Sequence, residues 1–239
     1  MKRALVTGGS GGIGAAICRR LGASGLHVYV HGNANKDKAD GIVAEIEESG
    51  GSAESIIFDV TDAGSCQKNL EKILENDPIQ ILVNNAGIHD DAPLAGMTAA
   101  QWQSVIDVSL GGFYNVTQPL LLPMMSTRWG RIISMASVAA LKGNRGQANY
   151  AAAKAGLLGA SKSLSHEMVS RGITVNVIAP GIIESPMTNE LFTKEQIKAM
   201  VPAHRVGSPD EVAALVAYLA SDEAGYISGQ CISIDGGMT

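Results

Sequence analysis

Tyr150 and Lys154 stand four residues apart in the stretch NYAAAKAG, residues 149–156. Alanine is the best helix former, so the stretch predicts a helix, and a four-residue spacing puts the phenol and the ammonium on one helical face. A free phenol, with a pKa of about 10, holds its proton too tightly for efficient exchange near neutrality. A nearby ammonium favours the phenolate and lowers that value, which makes the pair a candidate acid–base centre. The same spacing suits an amphipathic surface helix whose lysine stem covers apolar surface. The pair alone leaves both readings open.

The elements that must position the pair are legible from periodicity. Strands are predicted at 4–8, 27–32, 55–60, 81–87, 131–137, 173–180 and 231–237. Helical patterns lie between them: IGAAICRRLGASG, KADGIVAEIEESGG, CQKNLEKILEND, a long region over about 98–125, the NYAAAKAG helix running to about 170, and EVAALVAYLAS at 211–221. Short strands alternating with helices predict an α/β fold, a doubly wound parallel sheet of Rossmann type covered on both faces. No composition break, repeat or linker divides the 239 residues, so they read as a single dinucleotide-binding and catalytic domain. In open sheets of this kind ligands bind beyond the carboxyl ends of the strands.

A formal charge of −5 argues against nucleic acid as the main partner. Cys18, Cys66 and Cys231 are odd in number and far apart, which suits a reducing cytoplasm and offers no metal site. The apolar run in MKRALVTGG is too short for a signal peptide, and no run approaches a membrane span. The expectation is a soluble cytoplasmic protein.

After the first strand comes TGGSGGIG, Thr7 to Gly14, which parses as GxGxxG through Gly9, Gly11 and Gly14 or as TGxxxGxG through Thr7, Gly8, Gly12 and Gly14. Glycines here let the backbone turn tightly and approach a pyrophosphate, with a helix N-terminus supplying N–H donors. Because the run closes a strand and opens a helix, it predicts nucleotide binding. An acid at the end of the second strand would select NAD by binding the ribose hydroxyls and repelling a 2′-phosphate. This strand ends in His31, Gly32 and Asn33, with Lys36 close by, so NADP(H) is favoured; Asp37 reads as a helix N-cap or a solvated charge.

Three further pieces fall in order: NNAG at 84–87 ends the fourth strand, Ser137 ends the fifth, and Pro180–Gly181 follows the sixth. Ser137, Tyr150 and Lys154, together with TGGSGGIG, resemble the classical short-chain dehydrogenase/reductase family over essentially the whole chain. Within it, GQANYAAAKAG and SRGITVNVIAPG are most similar to the bacterial 3-oxoacyl-[acyl carrier protein] reductases. The resemblance implies NADPH-dependent reduction of a 3-oxoacyl thioester by a homotetramer. It makes Tyr150 the general acid, Lys154 the group that, together with the oxidised nicotinamide, lowers the phenol's pKa and that also holds the nicotinamide ribose, and Ser137 a donor to the substrate carbonyl. It extends cofactor contacts to Thr7, Gly8, Ser10, Gly12, Ile13, Gly14, Asn33, Lys36, Asp59, Val60, Asn84, Ala86, Gly87, Pro180, Gly181, Ile183 and Ser185. Asp59 could equally cap the next helix. Ala155, Gly156, Gly159 and Ala160 would let a partner helix pack closely.

One position departs from the family. Ser109, in IDVSLGGF, stands where an asparagine usually supports a water that relays protons to the lysine. The expectation is a relay that survives in altered form, with Asn115 too far round the helix to substitute. Ser185 replaces a usual threonine and Pro186 an acid, and Gly11 sits where some relatives carry an arginine for the 2′-phosphate.

Residues 187–207 read as a helical lid. Of its apolar residues, Met187, Leu191, Phe192, Ile197 and Met200, most are expected to pack and one or two to meet substrate. His89 reads as a rim residue; His27, His31, His166 and His204 have no partner that would make them acid–base groups. Arg128, Arg131 and Arg171 match family positions that dock an acidic acyl carrier protein, or else are solvated surface charges. A CoA thioester could use the same chemistry, and the acyl chain could belong to a fatty acid, a polyketide or a polyene. An NAD(P)-dependent alcohol, sugar or acetoacetyl-CoA dehydrogenase, and a non-catalytic nucleotide-binding regulator, remain the alternatives.

Overall fold

Seven parallel strands form the centre of the computed structural model, which describes residues 1–186, 188 and 192–239. They are β1 (Arg3–Val6), β2 (His27–Gly32), β3 (Ser52–Ile57), β4 (Ile81–Asn84), β5 (Gly130–Met135), β6 (Ile173–Pro180) and β7 (Cys231–Ile234). Their order is β3-β2-β1-β4-β5-β6-β7, so β1 pairs on one side with β2 and on the other with β4. The direction of winding reverses between β1 and β4, which opens a crevice at their carboxyl ends.

Each strand feeds both faces, because successive side chains point to opposite sides. Val6, Val28, Val30 and Val83 face one core with Ile17 and Leu21 of α1 (Gly12–Ala23), Ile42 and Ile46 of α2 (Lys36–Glu48), and residues of a later helix at Pro209–Ala220. Leu5, Tyr29, Leu82 and Ile132 face the other. There they meet Leu70 of α3 (Ala63–Leu74), Leu120 and Met124 from the helix at Gly112–Ser126, and Leu164 and Met168 from that at Ala148–Met168. Burial on both faces is why the strands read as continuous apolar runs.

The long helical region expected over about 98–125 is broken. It consists of α4 (Ala99–Ile106), a π-type turn at Asp107–Gly111, and α5 (Gly112–Ser126). An apolar periodicity does not register one wider turn, because the helix axis continues through it. Predicted strands one, three, four, five and seven run two or three residues past their observed ends, where the chain leaves the sheet to build loops at its carboxyl edge, and strand three begins three residues earlier than expected. Further α-helices among the described residues include α6 (Ala139–Lys142), α7 (Ala148–Met168), α8 (Lys194–Met200) and α9 (Pro209–Ala220).

Candidate active site

The glycine loop is cross-braced by hydrogen bonds to the loop after β4. Thr7 Oγ1 accepts from the Asn85 and Ala86 N–H groups at 2.9 and 3.0 Å, and Asn85 Nδ2 donates to the carbonyls of Thr7 and Gly8 at 3.0 and 3.1 Å. The loops after β1 and β4 are therefore one rigid unit. Gly8 has φ +62°, and a Cβ on Gly14 would stand 2.1 Å from the Gly8 carbonyl oxygen, so neither position admits a side chain without a shift. Over Gly11 and Gly12, by contrast, an added Cβ meets nothing. Helix α1 has no side-chain cap, and Ala15 N–H makes the first bond back, to Gly11. A narrow floor, open space above it and uncapped amides at the start of a 12-residue helix fit a dinucleotide pyrophosphate.

At the β5 edge, Ser137 follows the strand, and its Oγ accepts the Ala139 N–H at 3.1 Å. Tyr150 and Lys154 lie on α7, as their spacing predicts. Burial pushes the Tyr150 phenol above its usual pKa; the Ser137 hydroxyl facing it pulls the other way, and Asp91 adds to the rise. Lys154 is buried, donates to the Met135 carbonyl at 2.8 Å, and has its Nζ 5.7 Å from the centre of the Tyr150 ring. Burial alone lowers its pKa to about 8. Burial is the largest of the influences on Tyr150, so the phenol is shifted upward. Gly87 packs on this lysine: a Cβ there would lie 3.0 Å from Nζ.

Ser109 sits in the π-type turn, 3 % exposed, and its Oγ has no hydrogen-bond partner among the described residues. The next residue, Leu110, fills the space beside Gly156, where a Cβ would come within 2.8 Å. Gly156 is thus occupied from within the chain and unavailable to a partner helix, whereas Ala155 and Gly159 are exposed. Asn115 donates to the Val60 carbonyl at 2.9 Å and is no substitute for the missing asparagine.

Other expected site residues divide. Gly181 needs its hydrogen, since a Cβ would lie 2.7 Å from Asp235 Cα; Pro180 ends β6 beside it, with its carbonyl accepting from Val138. Ile183 bridges to Gly207, and Ser185 Oγ accepts the Thr188 N–H, starting the turn that leads to the lid region. Val60 is buried against Gly112, and Asp59 binds Thr61 N–H and Oγ1; Asp62, rather than Asp59, caps α3. Asn35, rather than Asp37, caps α2. Asn33 is exposed, while Ser10 and Ile13 are half-buried in the glycine loop and the start of α1.

Of the charged and amide groups expected at the site, Lys36 is exposed and pairs with Asp40 at 2.6 Å one turn along α2. The Asn84 side chain turns into the core and donates to Thr117 at 3.1 Å, while its main chain ends β4 at the carboxyl edge of the sheet. Arg131 is 3 % exposed, donates to the Ser221 and Gly130 carbonyls and lies over the Trp129 ring at 4.3 Å, so it holds the body together instead of docking a partner. Arg128 and Arg171 are exposed, in neighbouring turns that precede β5 and β6, at the opposite end of the sheet from Ser137.

His89 lies 3.5 Å from Asp91 at the rim, and His27 binds Ser52. In the lid region Ile197 is buried, Phe192 half-buried and Met200 exposed; Met187 and Leu191 lie outside the described residues. Among the described residues no group of His, Cys, Asp or Glu could hold a metal ion, and no helix is long and apolar enough to cross a membrane.

Asn149 was missed by sequence reasoning. It is fully buried; Nδ2 donates to the Asp90 and Gln101 carbonyls at 2.9 and 3.0 Å, and Oδ1 accepts the Tyr150 N–H at 2.8 Å. The start of α7 is thereby locked to α4 and to the loop after β4. A polar residue immediately before the tyrosine was the only signal available. Asn85 was passed over inside NNAG for the same reason.

A doubly wound sheet, a glycine cradle at the reversal point, and a buried lysine beside a phenol and a hydroxyl define a nicotinamide-dependent oxidoreductase. A family model described as Enoyl-(Acyl carrier protein) reductase matches residues 8–239. Curated relatives include the 3-oxoacyl-[acyl-carrier-protein] reductase FabG of Escherichia coli, 47% identical over 99% of this chain and 97% of that one. Nodulation protein G of a Rhizobium strain is 44% identical over 99% and 96%. FabG of Staphylococcus aureus is 43% identical over 99% and 98%. The chain belongs to the short-chain dehydrogenase/reductase family, whose members use NAD or NADP.

Proposed function

We propose that this chain reduces 3-oxoacyl thioesters, carried by acyl carrier protein, to 3-hydroxyacyl thioesters with NADPH, in cytoplasmic synthesis of a fatty acid or a related polyketide or polyene chain. The observation that carries the reading is the convergence of the Ser137 hydroxyl, the Tyr150 phenol and buried Lys154 beside the glycine cradle. When bound, the reduced nicotinamide supplies a hydride to the carbonyl carbon. As the C–H bond forms, the carbonyl π pair moves to oxygen. Ser137 donates a hydrogen bond to that oxygen, and Tyr150 transfers its proton to it. Lys154 sits behind the phenol with its ammonium anchored to Met135, ready to stabilise the phenolate that results.

Two facing hydroxyls suit a carbonyl oxygen. The carbon–carbon double bond of an enoyl thioester has no oxygen at the reacting carbon, so ketone reduction is preferred over the reaction in the family model's description. NADP is preferred because Gly32 and Asn33 stand where an NAD-selecting acid would be. A carrier protein is preferred because curated relatives of this chain are named 3-oxoacyl-[acyl-carrier-protein] reductases. A homotetramer is proposed, as the family resemblance implies, with the exposed Tyr114 and Leu122 of α5, at 65% and 75%, and the small exposed residues Ala155 and Gly159 of α7 as candidate contact surfaces.

The test follows NADPH oxidation with acetoacetyl and crotonyl thioesters, each on carrier protein and on CoA, in wild type and Tyr150→Phe. Turnover of acetoacetyl-carrier protein that falls by about 100-fold or more in the variant supports the reading. Faster turnover of the crotonyl thioester would overturn it.

A further inference from the structure

His31 belongs to β2 and is 2 % exposed, where an acid would select the cofactor. Its ring is not idle. Gly8 N–H points at Nδ1 at 3.1 Å, and Nε2 lies 2.9 Å from the Phe58 carbonyl oxygen. A carbonyl can only accept, so Nε2 carries the hydrogen and Nδ1 keeps its lone pair for Gly8; the two contacts specify one neutral tautomer. Burial agrees, lowering the ring's pKa to about 4 against smaller upward effects of the Phe58 carbonyl and of Asp59. The main chain of the same residue holds the next amide, with Gly9 N–H donating to the His31 carbonyl at 2.8 Å. The imidazole also packs on the Phe58 ring, with centroids 4.1 Å apart.

We propose that His31 is a positioning residue for dinucleotide binding: its imidazole bridges the glycine loop to the end of β3, fixing two cofactor-binding segments relative to each other. The bridge begins at Gly8, in the loop that faces the pyrophosphate, and ends one residue before Asp59 and Val60. It lies under the β2 side of the crevice, while Ser137 and Tyr150 lie at β5 and α7, so it acts on binding and not on proton transfer. The inference rests on the reading that the glycine loop binds a dinucleotide.

The experiment titrates NADPH fluorescence with wild type, His31→Phe and His31→Asn, and measures amide exchange at Gly8 and Gly9 without cofactor. Phenylalanine keeps the ring packing and removes the acceptor. Asparagine keeps a short acceptor and a donor. The expected result is a Kd about 10-fold weaker for His31→Phe, faster exchange at Gly8 with Gly9 little changed, and partial recovery in His31→Asn. At saturating NADPH the turnover of all three proteins stays within about two-fold, since no reacting atom is touched. An unchanged Kd in a folded His31→Phe protein overturns the positioning role. Absence of NADPH binding by the wild type overturns the underlying reading instead. If His31→Phe does not fold, His31→Asn with weakened affinity and faster exchange at Gly8 supports the bridge, and wild-type affinity, or weakened binding without a change at Gly8, refutes it.

Discussion

Lys154 reaches across from α7 to place its ammonium 2.8 Å from the Met135 carbonyl, at the last residue of β5. This bond anchors a charge that the fold otherwise disfavours, since burial lowers the lysine's pKa from 10.5 to about 8. The folded state holds its proton less tightly than the unfolded one. Stability therefore rises with pH between about 8 and 10.5, and the full penalty, on the order of 3 kcal/mol, is present below that window. Lys154→Met removes the charge but leaves Met135 without its donor. It is expected to raise Tm by a few degrees at pH 7 and to abolish turnover, both read on the same purified protein.

Asp91 raises the Tyr150 pKa through space and is itself held by Gln147 Nε2 at 2.7 Å. In the alcohol-oxidising direction Tyr150 must be a phenolate, so the rate rises with pH through the phenol's pKa. Asp91→Asn keeps an acceptor for Gln147 and removes the charge. The rising limb of the pH–rate profile should move to lower pH; a shift to higher pH would contradict the electrostatic assignment.

Ser109→Ala deletes a buried hydroxyl that has no partner among the described residues. Removing such a group costs no hydrogen bond, so urea unfolding should show unchanged or slightly greater stability. A simultaneous several-fold fall in turnover would place the hydroxyl in the proton relay. Ser109→Asn adds volume at a site only 3 % exposed and should destabilise by about 1–3 kcal/mol.

Gly14→Ala would drive a methyl to within 2.1 Å of the Gly8 carbonyl oxygen and 2.7 Å of Asn85 Nδ2. The glycine loop must shift, and the Asn85 brace with it. Dinucleotide affinity should fall by about 10-fold or more, measured by fluorescence titration, while circular dichroism retains the α/β signature.

Asn149→Ala breaks three hydrogen bonds that hold the start of α7. The expected cost is about 2–4 kcal/mol in chemical denaturation, with kcat reduced and the KM for cofactor little changed. Asn149→Asp should be no better, because a carboxylate would face the Asp90 and Gln101 carbonyl oxygens.

Much of this protein was legible in the order of its residues. Strands buried on both faces must be apolar throughout, so the sheet announced itself. A backbone that approaches a pyrophosphate needs glycine, so the cradle did too. The four-residue step from Tyr150 to Lys154 is a property of any helix and required no tertiary knowledge. What the sequence could not contain was direction. Arg131 is a cation in a promising place, but burial against Trp129 commits it elsewhere. Asn84 and Asn85 are identical neighbours, and strand alternation sends one into the core and the other across to the glycine loop. His31 and Asn149 gained their contacts from segments distant in sequence, Phe58 for one and Asp90 and Gln101 for the other. The upward shift of the Tyr150 pKa comes first from burial, which depends on everything packed around the ring and which no pair of residues encodes.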